Sequence, residues 1–134
     1  MKIVIGLLLA ASWIPSLTHA ENLTSSAEFL CATKNAHLCF ETGECFDALP
    51  ADLGMPEFVV IDTKKKSIST TKVSGLNRSS AASMFERNDG VVAMQGMDSG
   101  RAFSFMIHEE TGLLTASIAA DGYSVAAFGA CTAH

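Results

Sequence analysis

Arg101-Ala102-Phe103-Ser104-Phe105-Met106-Ile107-His108, then Glu109-Glu110-Thr111-Gly112, then Leu113-Leu114-Thr115-Ala116-Ser117-Ile118-Ala119: two β-prone runs around a turn signal decide the fold class of this chain. In the first run Phe103, Phe105 and Ile107 share one face, and Ala102, Ser104, Met106 and His108 share the other. That period of two marks a strand whose aromatic face turns to the core. In the second run Leu114, Ala116 and Ile118 oppose Leu113, Thr115 and Ser117. Further turn signals stand at Asn88-Asp89-Gly90, Met97-Asp98-Ser99-Gly100 and Asp121-Gly122, a spacing of about ten residues that suits consecutive hairpins. The gaps hold Val91 to Gly96 and Tyr123 to Ala130, preceded by Phe58 to Asp62, Ser67 to Val73 and Ser79 to Arg87. The expected fold is mainly β: an antiparallel meander of about seven to nine short strands curling into a small barrel, because closure removes exposed sheet edges. Residues 113–119 and 123–130 are apolar on both faces, which predicts strong curvature there and a covering layer on one side.

Upstream of the meander, Ala48-Leu49-Pro50-Ala51-Asp52-Leu53-Gly54-Met55-Pro56 carries two prolines and a glycine and reads as a connector. Lys64, Lys65 and Lys66, between Asp62 and Ser67, read as a solvated turn or protected edge. A short helix over Ser25 to Thr33, capped by Ser25 or Ser26 with Glu28 in its first turn, competes with a strand over the same residues. Residues 21–27 are polar and read as a disordered lead, with order beginning near Phe29.

The N-terminus has one charge, Lys2, an apolar run from Ile3 to Ala11, and Thr18-His19-Ala20 as a small-x-small cleavage pattern. That order of regions is a secretory signal, too short and too interrupted by Ser12 and Pro15 to span a bilayer. Residues 1–20 are therefore expected to be removed, which from a chain of 134 leaves 114 for a single β domain over 21–134. Within it a cysteine-rich hairpin region occupies 28–48 and the meander 57–131. The expected location is periplasmic or secreted, with no stable membrane insertion after cleavage.

Export gives the four cysteines, Cys31, Cys39, Cys45 and Cys131, an oxidising environment, and an even count reads as two disulfides. Cys39 and Cys45 flank Thr42 symmetrically, with Gly43 where a left-handed residue suits a turn. Pairing them leaves Cys31 for Cys131. The alternative, Cys31 with Cys39 and Cys45 with Cys131, centres on Asn35 and stays open at this point. These spacings do not match the short ligand hooks of structural zinc sites.

Lys2 is the only charged residue of the signal, so eight Lys plus Arg remain against 14 Asp plus Glu. A net acidic domain lacks the basic face that nucleic acid demands. His37, His108 and His134 are too scattered for a metal motif, and His108-Glu109-Glu110 reads as a solvated hairpin tip rather than a cation site. Ser99 lies near Asp98 and Arg101, but Asp98-Ser99-Gly100-Arg101 is also the chemistry of a tight turn. No Gly-x-Ser-x-Gly elbow occurs and no two of the acids stand out as a pair. Neither catalytic residues, a cofactor nor a metal is expected. Trp13 leaves with the signal, which gives sugar stacking little to work with.

Gly100 to Ser104, Thr111 to Ser117 and Phe128 to Thr132 resemble stretches of small exported proteobacterial proteins of uncharacterised function. The overall plan of signal and disulfide-tied β barrel is also similar to periplasmic lysozyme inhibitors, by architecture only. Ser74-Gly75 is merely a fragment of their inhibitory loop, and no residue is carried over. The expected architecture leads to a non-enzymatic binding protein, with a protein partner or a small apolar ligand met through its loops or barrel mouth, or, by its likeness in plan to the lysozyme inhibitors, to an enzyme inhibitor. The hairpin tips Met97, Asp98, Ser99 and Arg101, and Thr42 and Gly43 between the cysteines, are the candidate contact residues. A small exported hydrolase and an envelope structural factor are the alternatives.

Overall fold

Strand after strand, the alternation that marks residues 101–119 recurs in the computed structural model, which describes residues 22–134. The expected signal, 1–20, lies outside the described residues, as does Glu21. Ten strands follow: β1 (Glu28–Phe40), β2 (Cys45–Ala48), β3 (Phe58–Asp62), β4 (Ser67–Thr70), β5 (Ser79–Ala81), β6 (Met84–Asn88), β7 (Val91–Asp98), β8 (Arg101–His108), β9 (Leu113–Ala120) and β10 (Tyr123–Ala133). All pairings are antiparallel, in the order β5-β4-β3-β1-β10-β9-β8-β7-β6, with β2 beside the second half of β1. Helical structure among the described residues is limited to two 3-10 turns, Pro50–Leu53 and Lys72–Ser74. The competition over residues 25–33 is thus won by a strand, whose buried Phe29, Cys31 and Thr33 have a period of two.

The sheet curls into a half-barrel whose two ends belong to one stretch of chain. Strands β5 and β6 are separated only by Ala82 and Ser83. The Ala82 N–H donates to Lys66 O in the β3–β4 turn (2.8 Å), and the next N–H, of Ser83, donates to Gln95 O of β7 (2.8 Å). Ser79 to Arg87 is accordingly not one continuous strand: at this corner it changes partner.

Side chains of β1 and β10 show how curvature is built. Thr33 pairs with Gly129 and Asn35 with Phe128, so Lys34 is an extra residue in β1. Such a bulge reverses the parity of the strand, and the buried set passes from Phe29, Cys31 and Thr33 to Ala36. Opposite the bulge the two backbones approach closely: a Cβ on Gly129 would stand 2.0 Å from the Ala32 carbonyl oxygen. Only glycine fits there.

Phe29, Ile61, Val92, Met94, Ile107 and Leu114 fill the interior and are fully or almost fully buried. Cys31 and Cys131 are directly opposed across β1 and β10 and are bonded, with Cα atoms 4.0 Å apart. Cys39 and Cys45 are opposed across β1 and β2 and are bonded at 4.1 Å. The open choice of pairing is thereby resolved, with Gly43 at φ +87° in the turn between the second pair. Among the described residues the expected covering layer is not found over the outer face: Met106, Leu113 and Phe128 are exposed. Apolar residues on both faces here reflect an unburied outer surface rather than a second sheet.

One end of the half-barrel is plugged. Leu23 is fully buried there, and its N–H donates to Glu109 O (3.0 Å). Arg87 turns in from β6: its Nε donates to Glu109 Oε1 (2.7 Å), and its terminal nitrogens donate to the carbonyls of Leu23 (2.8 Å), Thr24 (2.7 Å) and Ser26 (3.0 Å). The guanidinium also stands 5.6 Å from the Phe29 ring centroid. Two expectations are corrected. Residues 22–27 are not a disordered lead, because Leu23 finds an apolar seat and Arg87 satisfies the carbonyls around it. Glu109 is not a solvated tip residue but a buried carboxylate, 4% exposed, held by Arg87.

Candidate functional site

The opposite end is formed by the β1–β2, β7–β8 and β9–β10 tips, and it is hollow. The β7–β8 tip is Ser99-Gly100, both at positive φ (52° and 77°), the two-residue turn that matches the twist of a hairpin. Asp98 and Arg101 are therefore directly paired across it. Directly opposed residues project to the same face, here the inner one, which continues along β8 as Phe103, Phe105 and Ile107.

A hollow of about 120 Å³ lies behind this pair, with an apolar lining of Met55, Val59, Phe103, Phe105 and Ile118 and a rim that includes Arg78, Ser80, Asp98 and Arg101. A second, of about 220 Å³, adjoins it between Leu38, Leu53, Tyr123 and Val125. Met55, Arg101 and Ile118 line both. The segment Pro50–Pro56 closes one flank. Its 3-10 turn begins at Pro50 and ends on Gly54 at φ +68°, which delivers Leu53 and Met55 to the hollows. Gly96 gives the Phe103 ring its place, since a Cβ there would stand 2.5 Å from the ring.

Electrostatically the mouth is unlike the plug. Asp98 accepts hydrogen bonds from Ser80 Oγ (2.8 Å) and Ser99 Oγ (3.0 Å). The Ser80 hydroxyl first, then that of Ser99, and then the charges of Arg78 and Arg101 hold its carboxyl below the usual aspartate range. The Ser80 bond also ties β5 to β7, two strands that share no backbone ladder. Arg78 Nη1 makes one long contact, 3.4 Å, to Gly54 O. Among the described residues the Arg101 guanidinium has neither a salt bridge nor a hydrogen bond. Two guanidiniums thus face one carboxylate over an apolar floor, in a chain of net charge −5.

Of the residues singled out in the sequence, Asp98 and Arg101 come together in this mouth, and Ser99 supports Asp98 from the tip. Met97, the residue before Asp98, points outward and is 70% exposed. Thr42 and Gly43 sit on the separate β1–β2 tip, where the Thr42 hydroxyl bonds Glu44 (3.4 Å), and line neither hollow. Arg78, Ser80, Leu53 and Met55 were not legible as site residues. Leu53 and Met55 lie in a stretch that reads as a connector, and Arg78 and Ser80 at the start of a run that reads as an ordinary strand; only the curl of the sheet carries them to the mouth.

Comparison with protein-family models, curated proteins and solved structures yields no match to this chain.

Proposed function

We propose that this chain is an exported, periplasmic or secreted, binding protein that takes a small apolar ligand into the open end of its half-barrel. The observation that carries this reading is the asymmetry of the two ends: one is plugged by Leu23, Arg87 and Glu109, and the other leaves an apolar hollow beneath a few polar side chains. Concave, mostly apolar sites with few convergent polar groups are the usual form of small-ligand sites. The two adjoining hollows, about 120 and 220 Å³, bracket the roughly 150 Å³ of an apolar cavity that admits a ligand as large as benzene. Export is supported by the N-terminal pattern and by two disulfides, which form and persist in oxidising compartments. No helix among the described residues is long and apolar enough to cross a membrane.

The test is calorimetric titration of the processed protein with small aromatic and short alkyl compounds, repeated on Ile118→Trp, whose larger side chain intrudes on the wall that the two hollows share. Binding in the wild type and a loss of at least about tenfold, about 1.4 kcal/mol, in the variant is the expected result. Undiminished binding in Ile118→Trp would move the site elsewhere. A second reading, recognition of a protein by the same end, is favoured by the aromatic group Phe40, Phe46 and Tyr123, with ring centroids 6.3 and 6.4 Å apart along the rim. Phe46 is 53% exposed. Inhibition of an envelope-acting hydrolase that is abolished by Phe46→Ser would favour that reading.

A further inference from the structure

Resting on the binding reading above, we infer that the ligand carries a single negative charge of the carboxylate class, and that Arg101 holds it. The inference starts from what Arg101 lacks. Its position on the inner face places the stem of the side chain against both hollows, Asp98 is its directly opposed neighbour, and yet the carboxylate of Asp98 is engaged by Ser80 and Ser99 instead. A guanidinium set on an apolar lining without a protein partner is a cation with five donors that the chain does not use. Its planar fork matches a carboxylate bidentately, and such charge-assisted pairs are the strong ones.

The valence follows from the neighbours. Arg78 and Arg101 bring two positive charges to the rim of the hollow and Asp98 one negative charge, so the rim carries a net single positive charge. The carboxylates of the adjacent tips, Glu41 and Asp121, are exposed and line neither hollow. A dianion would be over-supplied with negative charge beside Asp98, and a cation would meet Arg101 directly. An acyl or aryl tail fits the apolar floor of Phe103, Phe105 and Ile118 while its head group stays at the rim. The ligand class is therefore a small amphipathic monoanion.

Hexanoate, hexan-1-ol, hexylamine and hexyl phosphate share one tail and differ only in head group, and their affinities for the processed wild-type protein separate the questions. Hexanoate is expected to bind at least about tenfold more tightly than hexanol, with hexylamine weakest and hexyl phosphate no tighter than hexanoate. In Arg101→Gln, hexanoate falls to the level of hexanol. In Arg101→Lys, which keeps the charge but not the fork, it recovers in part. Equal affinity of the wild type for hexanoate and hexanol overturns the charge inference while the apolar site stands. Tighter binding of hexyl phosphate overturns the assignment of a monoanion. No binding of any of the four, in a preparation whose circular dichroism and melting show a folded barrel, overturns the site itself.

Discussion

Arg87 and Arg101 stand on inward-facing positions of the same curled sheet, near opposite ends, and they have opposite fates. Arg87 is bonded to a carboxylate and three carbonyls and lies against a phenylalanine ring, so its donors are consumed by the fold. Arg101 faces a carboxylate that serine hydroxyls already occupy. The first arginine replaces water by protein partners, which is how a charge is buried without a large desolvation cost. The second has donors that no group of the described residues takes. One residue type, on inward-facing positions of one sheet, is thus a structural element where the half-barrel is plugged and, under the proposal above, a recognition element where it is open.

The largest test of this contrast removes the covalent tie within the core. Cys31 and Cys131 enclose 100 residues of sequence separation, whereas Cys39 and Cys45 are 6 apart at the rim. The chain-entropy relation gives about 4 to 5 kcal/mol for the first and about 2 kcal/mol for the second. Urea unfolding of the two Cys→Ala double variants should reproduce that order. Equal losses would mean that the rim disulfide supports the fold as much as the core one does.

Next in size is the arginine pair itself. Arg87→Met leaves Glu109, whose side chain is only 5% exposed, without its partner. Removing one member of a buried pair costs about 3 to 5 kcal/mol, and the lower figure applies because Arg87 is itself 26% exposed. Arg101→Met breaks no internal bond, so its stability should stay within about 0.5 kcal/mol of wild type. Thermal melts of both variants check the pair of values. A similar loss for the two would erase the distinction drawn between the ends.

A smaller effect is expected from Gly96→Ala. The added Cβ, 2.5 Å from the Phe103 ring and 3.0 Å from Ala81 O, must push the ring toward the hollow. Overpacking of this kind costs about 1 to 3 kcal/mol. The variant should also bind short alkyl ligands more weakly than its stability loss would suggest, which titration alongside melting would show. Unchanged affinity would mean that the position of Phe103 does not set the size of the site.

How far all this was legible before the structure depends on distance along the chain. Strands β7 to β10 were plain, because a period of two and glycine-bearing tips are local properties, and the same locality set Cys39 opposite Cys45. The pairing of Asp98 with Arg101 on one face was implicit in a two-residue tip. Leu23 as a plug was not readable, since one apolar residue in a polar stretch acquires meaning only when a seat exists far along the chain. Glu109 looked solvated for the same reason: its partner, Arg87, belongs to a different hairpin. The bulge at Lys34 and the corner at Ala82-Ser83 leave no local signal either, yet they curve the sheet and bring Arg78 and Ser80 to the mouth. Groups that meet through closure of a sheet are hidden from any reading of periodicity.

The smallest expected effect again compares the two ends, through their carboxylates. At the plugged end Asp62 accepts the N–H groups of Lys64 (3.0 Å) and Lys65 (2.8 Å), and its other oxygen lies 3.0 Å from Lys65 Nζ. The backbone donor of Lys65 is the main reason its carboxyl titrates below the usual aspartate range, with the Lys65 ammonium second. Asp98 at the mouth is lowered too, but by hydroxyls from another strand and from its own tip. A carboxyl whose folded pKa is depressed contributes stability that is complete above its unfolded value, about 3.9, and that is lost as the pH falls through the lower folded value. Asp62→Asn should therefore be less stable than wild type near neutral pH, and the gap should narrow as the pH falls through the lowered folded value. Lys65 is 78% exposed, so salt should screen its share and leave the narrowing intact. Asp98→Asn should show the same narrowing, together with a change in ligand affinity that Asp62→Asn lacks, because only Asp98 faces the hollow. Urea midpoints at three pH values, with and without hexanoate, measure both. A gap between Asp62→Asn and wild type that persists undiminished in acid would show that the turn is held by shape rather than by charge.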